Sequence, residues 1–256
     1  MLDRTNNNRI IGIYKIEKKG EFLPITRYRI ISIDSSIHEI KIYRLQPESD
    51  KPNQFNPGQA IFLHLLDESG TTIEKKPYSV ASPPDVPYIE LCIKMVNGKL
   101  TGKLENLGVG AIVGIEGPMG HFAYTGQNKA VFIGGGTGVA PFMSMLRQIA
   151  TKKINGEFIL FYSVKDQSGI IYRNELEQLQ KINPSIKVVI TLTKEEKGSW
   201  NGEYGRASKE MIAKHLINAN EYDWWICGPT ELVKNMRIAI TELGGDTKKL
   251  HMEAWG

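Results

Sequence analysis

Lys129-Ala130-Val131-Phe132-Ile133-Gly134-Gly135-Gly136-Thr137-Gly138-Val139-Ala140-Pro141 is the stretch on which the fold turns. Its first five residues form an apolar, strand-like run, the glycines interrupt it, and Val139, Phe142, Met143, Leu146, Ile149 and Ala150 then recur at helical spacing. Strand, glycine turn and helix in direct succession make one unit of a parallel α/β sheet. Glycine lets the backbone turn sharply and come close to a ligand, and the helix that follows offers unpaired N–H groups and a positive dipole end to a phosphate. The run departs from Gly-x-Gly-x-x-Gly, so a plain strand-to-helix connection and a dinucleotide site both remain open at this point.

Downstream the same rhythm repeats. Strand-like Phe158–Tyr162 precedes a second helical face of Tyr172, Leu176, Leu179 and Ile182, and Ile186–Leu192 and Trp224–Cys227 add two strands. A last helix is predicted from Thr230, a good N-cap, to Leu243, with Gly244-Gly245 as its stop. Alternating strands and helices predict a parallel, Rossmann-like sheet covered on both faces.

Upstream the pattern differs. From about Ile10 to Ala123 the chain shows short alternating or β-branched stretches, such as Tyr28–Ile33, Glu39–Tyr43 and Tyr88–Ile93, broken by Asn56-Pro57-Gly58, Pro83-Pro84-Asp85 and Asn97-Gly98. This is the signature of an antiparallel β-barrel or sandwich. The change of rhythm across Tyr124–Asn128 predicts two domains, 1–124 and 125–256, and a chain of 256 residues has room for two cores.

Composition narrows the function. Apolar residues make up 41% and charged residues 23%, which is ordinary globular usage. The net charge of +4 is spread without a basic tail or acidic block, so nucleic acid is not an expected partner. The two cysteines, Cys92 and Cys227, form no Cys-x-x-Cys pair, so one chain supplies neither a disulfide framework nor an all-cysteine iron–sulfur or zinc site. The first ten residues, MLDRTNNNRI, are polar, and the apolar runs are far too short to span a bilayer; a cytoplasmic protein without membrane insertion is expected.

Four further stretches carry candidate chemistry. Lys76-Pro77-Tyr78-Ser79-Val80-Ala81-Ser82 places Lys76, Tyr78, Val80 and Ser82 on one face of an extended segment, with Ser79 opposite. Such a face offers a charge to a phosphate, a ring to a flat heterocycle and a hydroxyl to its polar edge; taken alone the stretch reads first as an edge strand ending at Pro83-Pro84. Asn97-Gly98-Lys99-Leu100-Thr101-Gly102-Lys103-Leu104, followed by Gly117–Phe122, is either a pyrophosphate loop or an ordinary turn. Cys227-Gly228-Pro229 ends a strand of the parallel sheet, where ligands bind, although a free thiol is more often simply buried. Glu253-Ala254-Trp255 lies in the tail, which frays unless something holds the indole.

In this order and spacing, Lys76–Ser82, Gly98–Thr101, Gly117–Phe122, Gly134–Pro141, Cys227–Pro229 and Glu253–Trp255 resemble the ferredoxin–NADP reductase superfamily, from about Gly58-Gln59 onward. The resemblance implies a Greek-key β-barrel holding FAD and an α/β domain holding the nicotinamide nucleotide. It implies that Tyr78 stacks on the isoalloxazine, that Ser79 bonds near flavin N5, and that Lys76 neutralises the pyrophosphate. The family usually has arginine at that last position, whose bidentate fork lysine lacks. Gly98 and Thr101 match the family's pyrophosphate loop, with Ile93 and Lys94 as neighbours of the flavin. Gly136, Thr137 and Gly138 match its nicotinamide-nucleotide loop. Cys227, Gly228 and Pro229 match its Cys-Gly-Pro element beside nicotinamide C4. Glu253 and Trp255 match its Glu-x-aromatic ending, whose aromatic covers the flavin and moves aside for nicotinamide; here Gly256 follows Trp255. The implied catalytic set is Ser79, Cys227, Glu253 and Trp255, with no metal.

The same resemblance implies hydride transfer between NAD(P)H and FAD, a positioning task in which the cofactors carry the chemistry. Members that prefer NADPH carry a Ser-Arg-like pair that grips the 2′-phosphate. Here Thr193-Lys194 stands in that place, with Tyr204 and Arg206 downstream, so NADP(H) is favoured over NAD(H). Electrons are expected to pass to a separate carrier, ferredoxin or flavodoxin first. The alternatives are an oxygenase or cytochrome reductase component, an NAD(P)H diaphorase or flavin reductase, and a non-catalytic nucleotide-binding sensor. Dihydroorotate dehydrogenase electron-transfer subunits share the architecture, but their cysteine cluster is absent from this sequence.

Overall fold

The computed structural model describes residues 24–49 and 54–255. The strand signal expected between residues 10 and 23, and the polar amino terminus, lie outside the described residues. Two six-stranded sheets organise the rest.

The first sheet is antiparallel and built from β1 (Thr26–Ile37), β2 (Ile40–Pro47), β3 (Ala60–Leu66), β4 (Thr72–Ser79), β5 (Ile89–Lys94) and β6 (Ile112–Met119), in the order β4-β3-β6-β1-β2-β5. Its open edges meet where Val80 leaves β3 and bridges to Leu91 on β5, with the Ala81 N–H donating to Glu90 O at 2.8 Å. That junction closes the sheet into a barrel and removes both free edges. Tyr28, Ile30, Tyr43, Leu45, Ile61, Leu63, Leu91 and Ile115 fill the interior. A short helix, α1 (Lys99–Leu104), plugs one end with Leu100 and Leu104.

The second sheet is parallel: β7 (Lys129–Gly135), β8 (Glu157–Val164), β9 (Ile186–Leu192), β10 (Glu203–Tyr204), β11 (Asp223–Pro229) and β12 (Leu250–Trp255), ordered β10-β9-β8-β7-β11-β12. Alternation along each strand sends side chains to opposite faces. Phe132 and Trp225 pack under α2 (Ala140–Thr151) and α3 (Arg173–Ile182), while Val131, Ile133, Trp224 and Ile226 pack against α4 (Lys209–Ala213) and α5 (Thr230–Glu242). The near-continuous apolar strands of the sequence therefore belong to a sheet buried on both sides. The cluster under α2 also takes in Ala81, Cys92, Phe122 and Tyr124, so one core runs across both sheets.

Two local readings differ from the structure. Tyr172 is not helical: its φ of 59° puts it in the left-handed region just before α3, and Ile182 at the far end is 56% exposed. Thr230 is the first helical residue of α5 rather than its cap, because the extended Pro229 precedes it and fixes the entry of the chain. The Gly244 stop holds, with φ of 80°.

Candidate active site

Strand order in the parallel sheet reverses between β7 and β11. The chain steps outward from β7 through β8 and β9 to β10, then returns to place β11 and β12 on the other side. Ligands of open α/β sheets bind at such a reversal, beyond the carboxyl ends of the strands. There β7 ends in Gly134-Gly135, β11 in Cys227-Gly228-Pro229 and β12 in Glu253-Ala254-Trp255, with Cys227 in register with both Gly134 and Glu253.

Close packing explains the glycines. A Cβ on Gly138 would lie 2.1 Å from the Cys227 carbonyl oxygen and 2.7 Å from Cη2 of Trp255, so the glycine turn, the Cys-Gly-Pro strand end and the terminal indole crowd one point. Gly135 and Gly228 approach each other backbone to backbone, both under Leu232 of α5. Gly136 is different: its φ is 55°, it is exposed, and nothing lies within 4 Å of where a Cβ would stand. The turn is thus packed below and open above, with Thr137 half-buried beside the opening and Tyr162 donating from its hydroxyl to the Gly136 carbonyl at 3.1 Å. That is the form a nucleotide cradle takes.

Cys227 is fully buried, and burial followed by the nearby charge of Glu253 pushes its thiol well above the ordinary range. It is held as a neutral thiol. Burial raises the Glu253 carboxyl to about 7. Trp255 is 39% exposed, and its carbonyl accepts a 3.4 Å hydrogen bond from Thr230 Oγ1, so the tail is a paired strand.

On the barrel, Lys76 is exposed and has no ion-pair partner among the described residues, and Tyr78 and Ser79 are half-buried at the end of β4. The predicted shared face of Lys76, Tyr78, Val80 and Ser82 does not persist. At Val80 the chain changes partner from β3 to β5, so Val80 enters the barrel core and Ser82 is buried, its Oγ accepting from the Glu90 N–H at 3.0 Å. Ile93 is also core, and Lys94 is exposed with Nζ 3.6 Å from Glu39. The Gly98 N–H donates to Thr101 Oγ1 at 3.0 Å, which shapes the start of α1.

Thr193 and Lys194 leave β9 with their N–H groups bonded to Val164 and Lys165, and Arg206 leaves β10 beside them, where the Gly205 N–H reaches Leu192 O. Lys194 and Arg206 are exposed and unpaired among the described residues. The hydroxyl of Tyr204 is already committed: it accepts from the N–H groups of Gly198 and Trp200 and donates to Trp200 O. Among the described residues no cluster of His, Cys, Asp and Glu could hold a metal, and no helix is long and apolar enough to cross a membrane.

Comparison with known proteins matches this geometry. Residues 27–124 match the oxidoreductase FAD-binding domain family and residues 132–237 the oxidoreductase NAD-binding domain family. The chain is 27% identical over 238 residues to the ferredoxin–NAD(P)(+) reductase component of the naphthalene 1,2-dioxygenase/salicylate 5-hydroxylase systems of Ralstonia sp, covering 90% of this chain and 69% of that one. It is 29% identical over 209 residues to the glycine betaine monooxygenase reductase subunit of Chromohalobacter salexigens, covering 79% of this chain and only 56% of the relative. Among solved structures, the flavohem-like FAD/NAD-binding domain of a Vibrio cholerae nitric oxide dioxygenase superposes with a TM-score of 0.81 at 20% identity, covering 90% of this chain and 98% of that one. A ferredoxin NADP+ reductase from Neisseria gonorrhoeae superposes at 0.76 with 18% identity, covering 90% and 98%. A closed antiparallel barrel matched to one family and a parallel sheet matched to the other, with the glycine turn, Cys-Gly-Pro and Glu-Ala-Trp gathered at its strand ends, place the chain in the ferredoxin–NADP reductase superfamily of FAD- and NAD(P)-binding oxidoreductases.

Proposed function

We propose that this chain is a flavin-dependent reductase that takes hydride from NAD(P)H, with NADPH preferred, and passes electrons to a separate protein carrier. In this reading residues 1–124 hold FAD and residues 125–256 hold the nicotinamide nucleotide. The observation that carries it is the meeting of Gly138, Cys227 and Trp255 at one point where the parallel sheet reverses. When bound, a flavin accepts two electrons together and releases them singly, which is the chemistry a protein carrier requires.

The residues present suit both cofactors. Lys76 is an exposed cation without an internal partner, Tyr78 offers a ring beside it, and the half-buried Ser79 hydroxyl has no hydrogen-bond partner among the described residues. With Lys94 ending β5 and the Gly98–Thr101 turn next to it, they form the flavin side of the site, and Ile93 backs it from the barrel core. Gly136, Thr137 and Gly138, with Gly228 and Pro229, form the nucleotide side. Cys227 lies buried behind them as a neutral thiol. Glu253, poised near neutrality, holds or releases a proton next to it. Trp255 lies on Gly138, where a nicotinamide must enter, so its indole has to swing away for turnover.

Thr193, Lys194 and Arg206 support the NADPH preference: a hydroxyl and two unpaired cations leave adjacent strand ends. The first acceptor to consider is a ferredoxin or flavodoxin. The second reading, a reductase component of an oxygenase, is favoured by the descriptions of the Ralstonia and Chromohalobacter relatives, each of which the chain covers in part. Steady-state reduction of ferricyanide by NADPH tests the proposal: turnover should depend on added or retained FAD, and turnover indifferent to FAD would contradict it.

A further inference from the structure

We propose that Arg147 is a positioning residue that fixes the distance between the two cofactor sites; this inference rests on the reductase reading above. Arg147 lies on α2, the helix that grows directly out of the Gly136–Val139 turn, and is only 8% exposed. Its guanidinium makes four bonds. Nη1 donates to the Ala81 carbonyl at 2.8 Å and to Glu90 Oε1 at 2.7 Å, and Nε and Nη2 grip both oxygens of Glu175 on α3 at 2.6 and 2.7 Å. One turn earlier, the buried Ser144 hydroxyl donates to the Ser82 carbonyl at 2.7 Å. Ala81 and Ser82 continue the segment that carries Tyr78 and Ser79. The helix that starts at the nucleotide turn is therefore pinned to the strand end on the flavin side.

Glu90 completes the clasp. It is 1% exposed, sits on β5, and also accepts from Arg44 Nε at 2.8 Å and from the Tyr172 hydroxyl at 3.0 Å. Tyr172 reaches it from a left-handed backbone position, a conformation costly for a bulky residue. A seam that needed only adhesion would be served as well by apolar residues of similar volume, because desolvating two charges offsets most of their attraction. What the forked guanidinium adds is direction: its donors are fixed in one plane, so the carbonyl of Ala81 and the carboxylates of Glu90 and Glu175 can be met together in one arrangement only. Hydride transfer is sensitive to displacement on that scale, since about 1 Å of misplacement costs on the order of a hundredfold in rate.

The test uses the FAD-loaded protein and three variants: R147M, R147K and E90Q/R147M. Removing Arg147 alone leaves Glu90 without its closest partner and lowers thermal stability; E90Q/R147M removes that buried charge and restores much of the midpoint. The expected result is that the hydride-transfer rate falls on the order of tenfold or more in R147M and stays low in E90Q/R147M. Affinities for FAD and for NADP+ should stay within about twofold, because Arg147 is buried and its polar atoms are taken up by Ala81, Glu90 and Glu175, and R147K should fall between. A second readout needs no turnover: spin labels at Ser69→Cys and Lys181→Cys should show a broader interdomain distance distribution in R147M and in E90Q/R147M. Recovery of rate and distance width together with the melting midpoint in E90Q/R147M would reduce Arg147 to a stability element and overturn the proposal. Failure of the unmodified protein to reduce its flavin would instead overturn the reductase reading, whatever the variants do.

Discussion

Glu253 illustrates how one residue ties position to chemistry. Strand β12 carries it into the sheet beside Cys227, and burial without a compensating cation raises its carboxyl from 4.5 to about 7. A raised carboxylate pKa means that the folded state binds a proton the unfolded chain has released, so this group's contribution to stability is present below about 4.5 and declines as pH rises to about 7. Glu253→Gln should remove that slope and stabilise the cofactor-free protein above pH 7 by up to roughly 3 kcal/mol. Thermal melts from pH 4.5 to 8 check this; parallel curves for both proteins would show that Glu253 is not desolvated as described. Several such residues were legible in the sequence, because Gly134–Pro141, Cys227–Pro229 and Glu253–Trp255 are contiguous motifs. The commitment of the Tyr204 hydroxyl to the 198–200 loop was not, because it depends on a fold-back that no local pattern encodes.

Elements meet at β7, β11 and α5, where Gly135 and Gly228 let the strand ends touch under Leu232. A Cβ on Gly135 would lie 2.7 Å from Leu232 Cδ2 and 3.0 Å from Pro229 Cδ, one flexible contact and one stiff. Gly135→Ala should therefore destabilise by about 1–3 kcal/mol, and adding Leu232→Ala should recover part of that loss in a double-mutant cycle read by denaturant melts. Additivity of the two changes would mean that they do not share the contact. Strands such as β7, β8, β9 and β11 were visible because burial on both faces makes them continuous apolar runs. Strand β12 was not: Leu250–Trp255 is short and half-polar, and its extended form comes from pairing with β11, a tertiary cause. The same holds for β10, two residues long, and for α4, five residues long.

At the level of the whole molecule, the structure joins a barrel and a parallel sheet through one continuous core and one polar clasp. The succession of an antiparallel and a parallel sheet was legible in the change of hydrophobic rhythm, but the joint was not. Arg147 and Glu90 are 57 positions apart, and in the sequence each is an ordinary charged residue that pattern rules assign to a surface. Only the docking of α2 against the 81–82 segment buries them. The joint matters to the proposed function, since hydride transfer between two bound cofactors requires that their sites be held in a fixed relation. The most direct measurement of that claim is an anaerobic stopped-flow mix of the FAD-loaded protein with NADPH and, in parallel, with NADH, following the oxidised flavin absorbance. Rapid bleaching, faster with NADPH than with NADH, is the predicted result. A flavin that stays oxidised with both donors would contradict the account.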